Sequence, residues 1–333
     1  MKKNLQNIKI MALISRPLRP CYCDDDGDNH ACCDLPDIFS EQNRFPASLF
    51  GHRVAMSSID IDIEHLLKNF NNLEIYCDAP EESIYESTRR CTVDVSLAEA
   101  LHFPQKISTR LPTEISRCQQ IALKDVKAIW CRNAAHYFEW VAGVPEFRLM
   151  DMQEKLKLVS RQLCRIICLM ISYWTYRQGH DGMVLGCGIC FIPTEVQDES
   201  LKSFLNSLVN VIQSNIVSTF RKIAMTREEY LLMKLIVFFD PAYLKLSPTD
   251  RLVVEAALKK YQAALVNHIK FSHPSLDHNS LTERISALLG TMPYLELAAQ
   301  VNNFFMTVMT VHNNGNMQGQ LTNEIHVDSM KIF

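Results

Sequence analysis

The sequence predicts an all-α fold, and both composition and periodicity point to it. Ten glycines and 13 prolines in 333 residues supply too few chain reversals for a turn-dense all-β architecture. An apolar content of 47% is enough to bury a sizeable core. From about residue 120 onward, apolar side chains recur with the spacing of amphipathic helices.

Charge balance and the lengths of the apolar runs exclude several classes of partner. The 34 basic and 37 acidic residues give a formal charge of -3, and the longest basic runs are pairs such as Arg89-Arg90. Such pairs do not neutralise a row of phosphates, so we expect no direct binding of nucleic acid. The longest apolar stretch, from Leu163 to Trp174, is shorter than the roughly 20 residues that span a bilayer, so we expect no membrane insertion.

Cysteine usage favours a reducing compartment. Twelve cysteines in 333 residues are too few for a disulfide scaffold, and several lie in apolar runs where cysteine behaves as a small hydrophobe. The opening segment MKKNLQNIKIMALIS has polar residues within its apolar part and no cleavage site of small residues after it, which is unlike a secretion signal. We therefore expect an intracellular protein.

The pattern divides the chain into a leader and one folded domain. Residues 1–58 contain CYCDDDGDNHACC and scattered prolines without a sustained period, which predicts a poorly ordered leader. Residues 59–333 form the predicted domain. Apolar residues between Ile59 and Phe70 indicate its first helix, and a weakly periodic connection over 76–119 follows.

Two helices form the centre of the predicted domain. The apolar face of the first consists of Val126, Ile129, Trp130, Ala134, Tyr137, Phe138 and Val141. Gly143 and Pro145 end this helix. The second helix, from about Asp151 to Arg177, is apolar around most of its circumference between Leu163 and Trp174, which predicts a position surrounded by other helices.

The second half of the chain predicts a hairpin and further helices. MVLGCGICFIP, within 179–193, lies between turn residues and predicts a short β-hairpin. Three helix starts are indicated by a hydroxyl residue three positions before an acid, at Thr226 and Glu229, Ser247 and Asp250, and Ser280 and Glu283. A long amphipathic helix over 294–311 ends at the run NNGN, and the segment LTNEIHVD follows it.

Residues 145–178 resemble the signature segment of nuclear hormone receptor ligand-binding domains. The signature positions are held here by Phe147, Met150, Glu154, Lys155, Leu158 and Val159, with Trp140 seven residues before Phe147. Three later blocks, EEYLLMKLIVFFDP, SPTDRLVVEAALKKYQAAL and TERISALLGTMPYLELAAQ, resemble consecutive helices of the family in the expected order. The details most resemble the divergent receptor set of nematodes. The resemblance implies a three-layer antiparallel helical sandwich with one small β-hairpin.

The resemblance also implies the location of a ligand pocket. In this family the inner faces of two helices line the pocket, and the matching candidates here are Trp130, Ala134, Tyr137, Met170 and Trp174. The same five residues can instead fill the core, and this alternative stays open. Trp174 stands where steroid-type receptors place an arginine, which favours an apolar ligand or a filled cavity.

A coregulator site is implied near the end of the chain. Residues 321–326 resemble the family's activation helix, with Glu324 at the position that caps the first N–H groups of a coactivator helix. Leu321 and Ile325 are the hydrophobes beside it, whereas Thr322 and His326 stand where hydrophobes are usual. We therefore expect this helix to dock more weakly than in the family.

In the family, Glu324's counterpart and a lysine form a clamp that holds the two ends of a coactivator helix, and the lysine side of this clamp is incomplete here. The family has a lysine where this chain has Ala142, so no cation is available at the matched position to cap the end of a coactivator helix. Arg161 is a candidate substitute. We expect coregulator peptides to bind weakly.

The resemblance implies one structural ion pair, and an apolar stripe on the last long helix predicts a dimer surface. Glu229 and Arg284 match the buried pair of the family; alternatively, Glu229 caps Thr226 and Arg284 is solvated. The predicted dimer contact, with a second copy or with another receptor domain, is the apolar stripe of Leu297, Val301, Phe304, Phe305 and Val308.

Cysteine spacing predicts neither a DNA-binding module nor a redox site. The family's DNA-binding module needs eight cysteines in C-x2-C pairs around two zinc ions. That spacing is absent from Cys21, Cys23, Cys32 and Cys33, near which His30 is a weak further candidate ligand. Cys187 and Cys190 have C-x-x-C spacing, but their apolar surroundings predict that they are buried and unreactive. We predict no metal site and no cofactor.

Three classes of function remain at this point. The first is a ligand-regulated receptor domain that binds a small lipophilic molecule and acts in transcription. The second is a receptor-derived interaction module with a filled pocket, which dimerises or titrates partners. The third class is an enzyme, and the spacing of Cys187 and Cys190 is its only support. The sequence has no phosphate-binding glycine loop and no nucleophile elbow. We predict a non-enzymatic regulator located in the nucleus, or in the nucleus and cytoplasm.

Overall fold

A computed structural model describes residues 62–80, 90–113 and 118–328. The predicted leader over 1–58 lies outside the described residues. The helices are α1 (Ile63–Asp78), α2 (Leu97–His102), α3 (Val126–Ala142), α4 (Met152–Arg177), α5 (Glu199–Val211), α6 (Ser218–Ile223), α7 (Arg227–Phe238), α8 (Pro248–Ser272), α9 (His278–Leu289), α10 (Met292–Val311) and α11 (Gln320–Thr322). Short 3₁₀ turns cover Pro104–Lys106, Leu123–Asp125, Glu146–Leu149 and Asn314–Asn316. Two π-helical turns cover Ile212–Val217 and Asn323–Asp328.

Helix α4 is the centre of the fold. Every residue from Gln162 to Thr175 is buried, which is what the all-round apolar sequence of this helix predicts. Helix α3 packs on one side of α4, α10 packs on another, and α7 also contacts it. The predicted layered helical fold is confirmed.

Helix α3 is buried on all sides rather than on one face. All residues from Ile129 to Val141 are buried, including the charged Arg132. Arg132 Nε donates to the carbonyl of Leu111 at 2.6 Å, and its Nη2 donates to the carbonyl of Cys77 at 2.6 Å. The face of α3 that contains Arg132 is therefore covered by α1 and by the segment before α3. The periodicity of α3 alone does not predict this cover.

The connection predicted over 76–119 contains structure that the sequence pattern did not indicate. It holds α2, a 3₁₀ turn and a first short strand. The segment 90–109 closes on itself, because the N–H of Thr92 donates to the carbonyl of Ile107 at 2.9 Å and Cys91 forms an isolated bridge with Ser108. Because the two ends of this loop are joined, α2, which lies within it, stays close to residues 90 and 109.

Two of the three predicted helix starts are confirmed and one is wrong. Thr226 caps α7 in a reciprocal capping box with Glu229, and Ser247 caps α8. Helix α9 begins three residues earlier than predicted, because the carboxylate of Asp277 accepts the N–H of Ser280 at 2.7 Å. Aspartate is as good a cap as serine, so Asp277 takes the capping position.

The predicted hairpin belongs to a three-stranded sheet. Strands β2 (Met183–Gly186) and β3 (Ile189–Phe191) are antiparallel, and β1 (Gln119–Gln120) adds to β3 in parallel. Cys187 and Gly188 turn the hairpin with positive φ angles of 56° and 74°, as a type I′ turn requires. Strand β1 was not predicted because two polar residues show no alternation.

Candidate functional site

A small apolar cavity lies between α3, α4, α5, β2 and α10. Its volume is about 50 Å³. The lining is formed by Ile129 and Trp130 of α3 together with residues of the other elements, among them Ile167, Leu185 and Phe305. A space of this size holds a few water molecules at roughly 10–15 Å³ each.

A second opening has charged side chains in its lining. Its volume is about 230 Å³, and it is bordered by the segment 90–111, α3 and the hairpin turn. Ile129 borders both spaces, whereas Arg90, Asp125 and Arg132 give the second one charged walls. An apolar ligand is better matched by the smaller cavity, which lacks charged side chains.

Of the five candidate ligand-binding residues, the structure places Trp130 on the smaller cavity. Ala134, Tyr137, Met170 and Trp174 are buried but are not among its lining residues. The hydroxyl of Tyr137 donates to the carbonyl of Val159 at 3.0 Å, which joins α3 to α4. The structure therefore does not bring the five residues together around one space.

The terminal helix, which consists of α11 and the π-helical turn Asn323–Asp328, is attached to α3 and α10 through His326. The indole Nε1 of Trp130 donates to His326 Nε2 at 3.0 Å, and His326 Nδ1 lies 2.7 Å from the Oδ1 of Asn303 on α10. This pair of contacts requires the neutral imidazole with its proton on Nδ1. Complete burial lowers the pKa of His326 to about 3, so the neutral form is the one present near neutral pH.

The other polar residue in this helix is also satisfied. Thr322 is fully buried, and its hydroxyl donates to the carbonyl of Met317 at 2.6 Å. Leu321 and Ile325 are buried against the body. Thr322 and His326 stand where the family has hydrophobes, but both have hydrogen-bonding partners inside the protein. Their polarity is therefore no reason for weak docking of this helix.

Glu324 contacts a helix of its own chain. Its Oε2 accepts the backbone N–H of Leu97, the first residue of α2, at 2.7 Å, and its Oε1 accepts from the side chain of Gln320 at 2.8 Å. The first N–H groups of a helix lack partners within the helix, and a carboxylate is a favourable cap for them. Glu324 is therefore engaged in the kind of capping contact that was expected for it with a partner helix.

Arg161, the candidate cation for the opposite side, is paired within its own chain. Arg161 forms an ion pair with Glu296 of α10 at 2.8 Å. Near Ala142 the structure has Arg148 instead, whose Nε donates to the carbonyl of Ala142 at 3.2 Å. Arg148 follows the signature phenylalanine directly, and no motif singled it out.

Glu229 and Arg284 form a bidentate ion pair. The two N–O distances are 2.6 and 2.8 Å, and Arg284 also donates to the carbonyl of Ile223 at 2.6 Å. Glu229 accepts the N–H of Thr226 at 2.9 Å as well. The two alternatives for Glu229, an ion pair and a cap, are both present in the structure.

The candidate dimer residues lie in different environments along α10. Phe304 is exposed, while Leu297, Val301 and Val308 are half-buried. Phe305 is buried and packs against the ring of Phe204 at 5.3 Å. Phe305 thus belongs to the core of its own chain, because α5 covers that side of α10.

The two cysteines of the C-x-x-C spacing also differ. Cys190 is buried, as predicted, whereas Cys187 is half-buried because it forms the hairpin turn. The prediction that both are buried is therefore wrong for Cys187.

No helix among the described residues has the length and apolar content that a membrane span requires.

Comparison with known proteins agrees with this fold. A family model described as the ligand-binding domain of nuclear hormone receptor matches residues 112–309. The chain is 24% identical over 165 residues to nuclear hormone receptor family member nhr-4 of Caenorhabditis elegans, covering 50% of this chain and 33% of that protein. It is 22% identical over 222 residues to family member nhr-100 of the same organism, covering 65% of this chain and 50% of that protein.

The chain therefore matches half or less of the length of these two relatives. The family match, in contrast, covers more than half of this chain and includes α3, α4, the sheet and most of α10. The chain belongs to the nuclear hormone receptor ligand-binding domain family.

Proposed function

We propose that this chain is a transcriptional-regulator domain that works in the nucleus by binding coregulator helices, and that its terminal helix docks without a large ligand. The observation that carries the proposal is the position of His326, held between Trp130 and Asn303 beside a cavity of about 50 Å³. Side chains of the protein itself thus make the contacts that fix the helix.

The size of the cavity favours the interaction module with a filled pocket over the ligand-regulated receptor. Pockets for drug-sized ligands measure roughly 300–1,000 Å³. A small lipophilic ligand would have to displace side chains such as Phe305, which is buried and packed against Phe204. Because interiors are densely packed, such a displacement is energetically costly.

Partners of two kinds are proposed. Coregulator peptides would bind beside Glu324, and a second receptor domain, of this chain or another, would bind along the exposed part of α10 around Phe304. The family is generally non-enzymatic, and we extend that role to this chain.

Native mass spectrometry of the purified chain tests the ligand part of the proposal. We expect the mass of the polypeptide without a retained small molecule. Retention of a lipophilic molecule in equal amount to the protein, together with loss of coregulator binding on its removal, would contradict a filled pocket.

Peptide binding tests the coregulator part. Ala142→Lys supplies the missing cation, and we expect it to strengthen binding of an Leu-x-x-Leu-Leu peptide by about 1–2 kcal/mol, the value of one charged hydrogen bond. Adding Glu324→Ala should remove the gain. Asn279→Lys, an exposed position on α9, is the control for added charge. Equal gains from both lysines would argue against a clamp at this site.

A further inference from the structure

Helix α2 has the contacts of a bound partner helix. Its first N–H donates to Glu324, 227 positions later in the chain. Leu97, Ala100 and Leu101 are buried, and these positions i, i+3 and i+4 form one face of the helix. His102 on the same helix is exposed.

The buried face of α2 lies on three elements. Helix α2 contacts α3, α4 and α11, so it rests where the terminal helix meets α3 and α4. The backbone of the loop adds to this attachment, since the N–H of Leu321 donates to the carbonyl of Val93 at 2.9 Å. A helix with leucines at the same spacing would need the same surface and the same carboxylate.

The closed loop over 90–109 holds α2 close to this surface. A tethered segment competes at an effective concentration in the millimolar range, which exceeds the concentration of most free partners. If only a fraction of the molecules has the surface vacant, the apparent affinity of a partner falls by that fraction.

We infer that α2 is an internal occupant of the coregulator surface and leaves it when a partner helix binds. This inference rests on the proposed function. It makes coregulator binding depend on release of the segment 90–109, so a modification or a second partner that opens this loop would increase binding.

Two neighbouring substitutions test the inference with a short fluorescein-labelled Leu-x-x-Leu-Leu peptide. Leu101→Asp introduces a charge on the buried face of α2, and His102→Asp introduces the same charge on the exposed side. We expect Leu101→Asp to lower the Kd for the peptide by about ten-fold, because it raises the vacant fraction, and His102→Asp to leave it unchanged. Ala100→Pro, which removes the backbone hydrogen bond from the Ala100 N–H to the carbonyl of Ser96, replaces Leu101→Asp if that protein does not fold.

Hydrogen exchange of the amides of 97–102 separates the outcomes. In the unmodified chain, a saturating amount of the peptide should accelerate their exchange. Equal affinity of the unmodified chain and Leu101→Asp, or peptide binding that leaves these amides protected, would overturn the internal occupant and leave the proposed function standing. Absence of binding to Leu101→Asp, while its α2 amides exchange rapidly, would overturn both.

A separate feature is a group of soft metal ligands at the edge of the sheet. The ligand atoms of Cys118, His180 and Cys190 all lie within 4.8 Å of one another. Cys118 precedes β1, Cys190 is on β3, and His180 lies between α4 and β2. His180 Nδ1 accepts the N–H of Gly182 at 3.0 Å, so this nitrogen is the unprotonated one, and a metal ion bound to it would replace this hydrogen bond.

We propose that Cys118, His180 and Cys190 bind a zinc ion, with water as the fourth ligand. Two sulfurs and one imidazole are a ligand set that zinc prefers, and three protein ligands leave one tetrahedral position for solvent. Binding would release the two thiol protons, so that two thiolates neutralise the charge of the ion. The ion would connect β1 and β3 to the end of α4, next to the hairpin.

Metal analysis of the reduced chain, supplied with zinc and then desalted, tests this site. Because cysteines outside the described residues add thiols, the informative quantity is the difference in zinc content between the unmodified chain and a variant. Cys118→Ser or His180→Asn should lose one zinc ion per chain, and Cys187→Ser, in the hairpin turn, should lose none. Cobalt in place of zinc should show thiolate-to-metal absorption that disappears in Cys118→Ser. Equal zinc content in all four proteins would overturn the site, as would unchanged cobalt absorption.

Discussion

The indole of Trp130 and the imidazole of His326 are joined by a 3.0 Å hydrogen bond across 196 positions of sequence. Their rings meet edge to face, with centroids 5.6 Å apart. The contact connects α3 to the terminal helix inside the protein. Docking of that helix therefore includes a polar contact within the core, where loss of one partner leaves a buried polar group with fewer hydrogen bonds.

His326→Ala should release the terminal helix. It leaves Trp130 Nε1 without an acceptor and Asn303 Oδ1 with only the weak donor Cys164 Sγ at 3.8 Å, at a cost of about 1–3 kcal/mol. We expect faster hydrogen exchange for the amides of 320–328 and little change in the rest of the chain. His312→Ala, an exposed histidine at the end of α10, is the matched control. Unchanged exchange in His326→Ala would show that apolar burial alone holds the helix.

Stability should fall at acid pH because His326 resists protonation in the folded state. Its pKa is about 3 when folded, against about 6.5 in an unfolded chain. Below pH 6.5 the unfolded state binds more protons, so this group's contribution is complete above pH 6.5 and is lost as the pH falls towards 3, by up to about 1.4 kcal/mol per pH unit.

The measurement for this pH dependence is the difference in unfolding free energy between the unmodified chain and His326→Phe, from urea titrations at several pH values. As the pH decreases from 6.5, the unfolding free energy of the unmodified chain should fall more than that of His326→Phe. Burial, together with nearby cations such as Lys234, also lowers the pKa of His136, but this histidine is present in both proteins and cancels. Parallel curves for the two proteins would contradict the assignment.

Removing one member of the Glu229–Arg284 pair should be strongly destabilising. Arg284→Ala leaves a carboxylate whose side chain is 1% exposed, and stranded buried charges cost about 3–5 kcal/mol. The double variant with Glu229→Gln should lose less than the sum of the single variants, because no charge is then stranded. Urea unfolding of the four proteins measures this coupling; strictly additive losses would show that the pair does not act as a unit.

Self-association should depend on the exposed side of α10. Replacing Phe304 and Val308 with glutamate should convert a dimer to a monomer in light scattering, since charges do not tolerate burial in an apolar interface. Phe271→Glu on α8 is the control, because Phe271 is 86% exposed. A dimer that survives the double substitution with an intact fold would place the contact elsewhere.

The sequence by itself determined the elements whose signals are local. All-round apolarity placed α4 in the centre, turn residues on both sides predicted the hairpin, and the hydroxyl-acid spacing at Thr226 and Ser247 located two helix starts. These features depend on residues a few positions apart, so a one-dimensional pattern contains them. The signature around Phe147 likewise predicted the family that the comparison shows.

Only the tertiary structure decided which distant residues meet. The capping of Leu97 by Glu324, the fastening of His326 by Trp130 and Asn303, and the grouping of Cys118 with His180 and Cys190 each join residues that are separated in sequence. The sequence pattern does not show whether a histidine in a helix is solvated or buried. Its role is set by the donors and acceptors that packing brings to it, because a buried polar group must find its partner inside the protein.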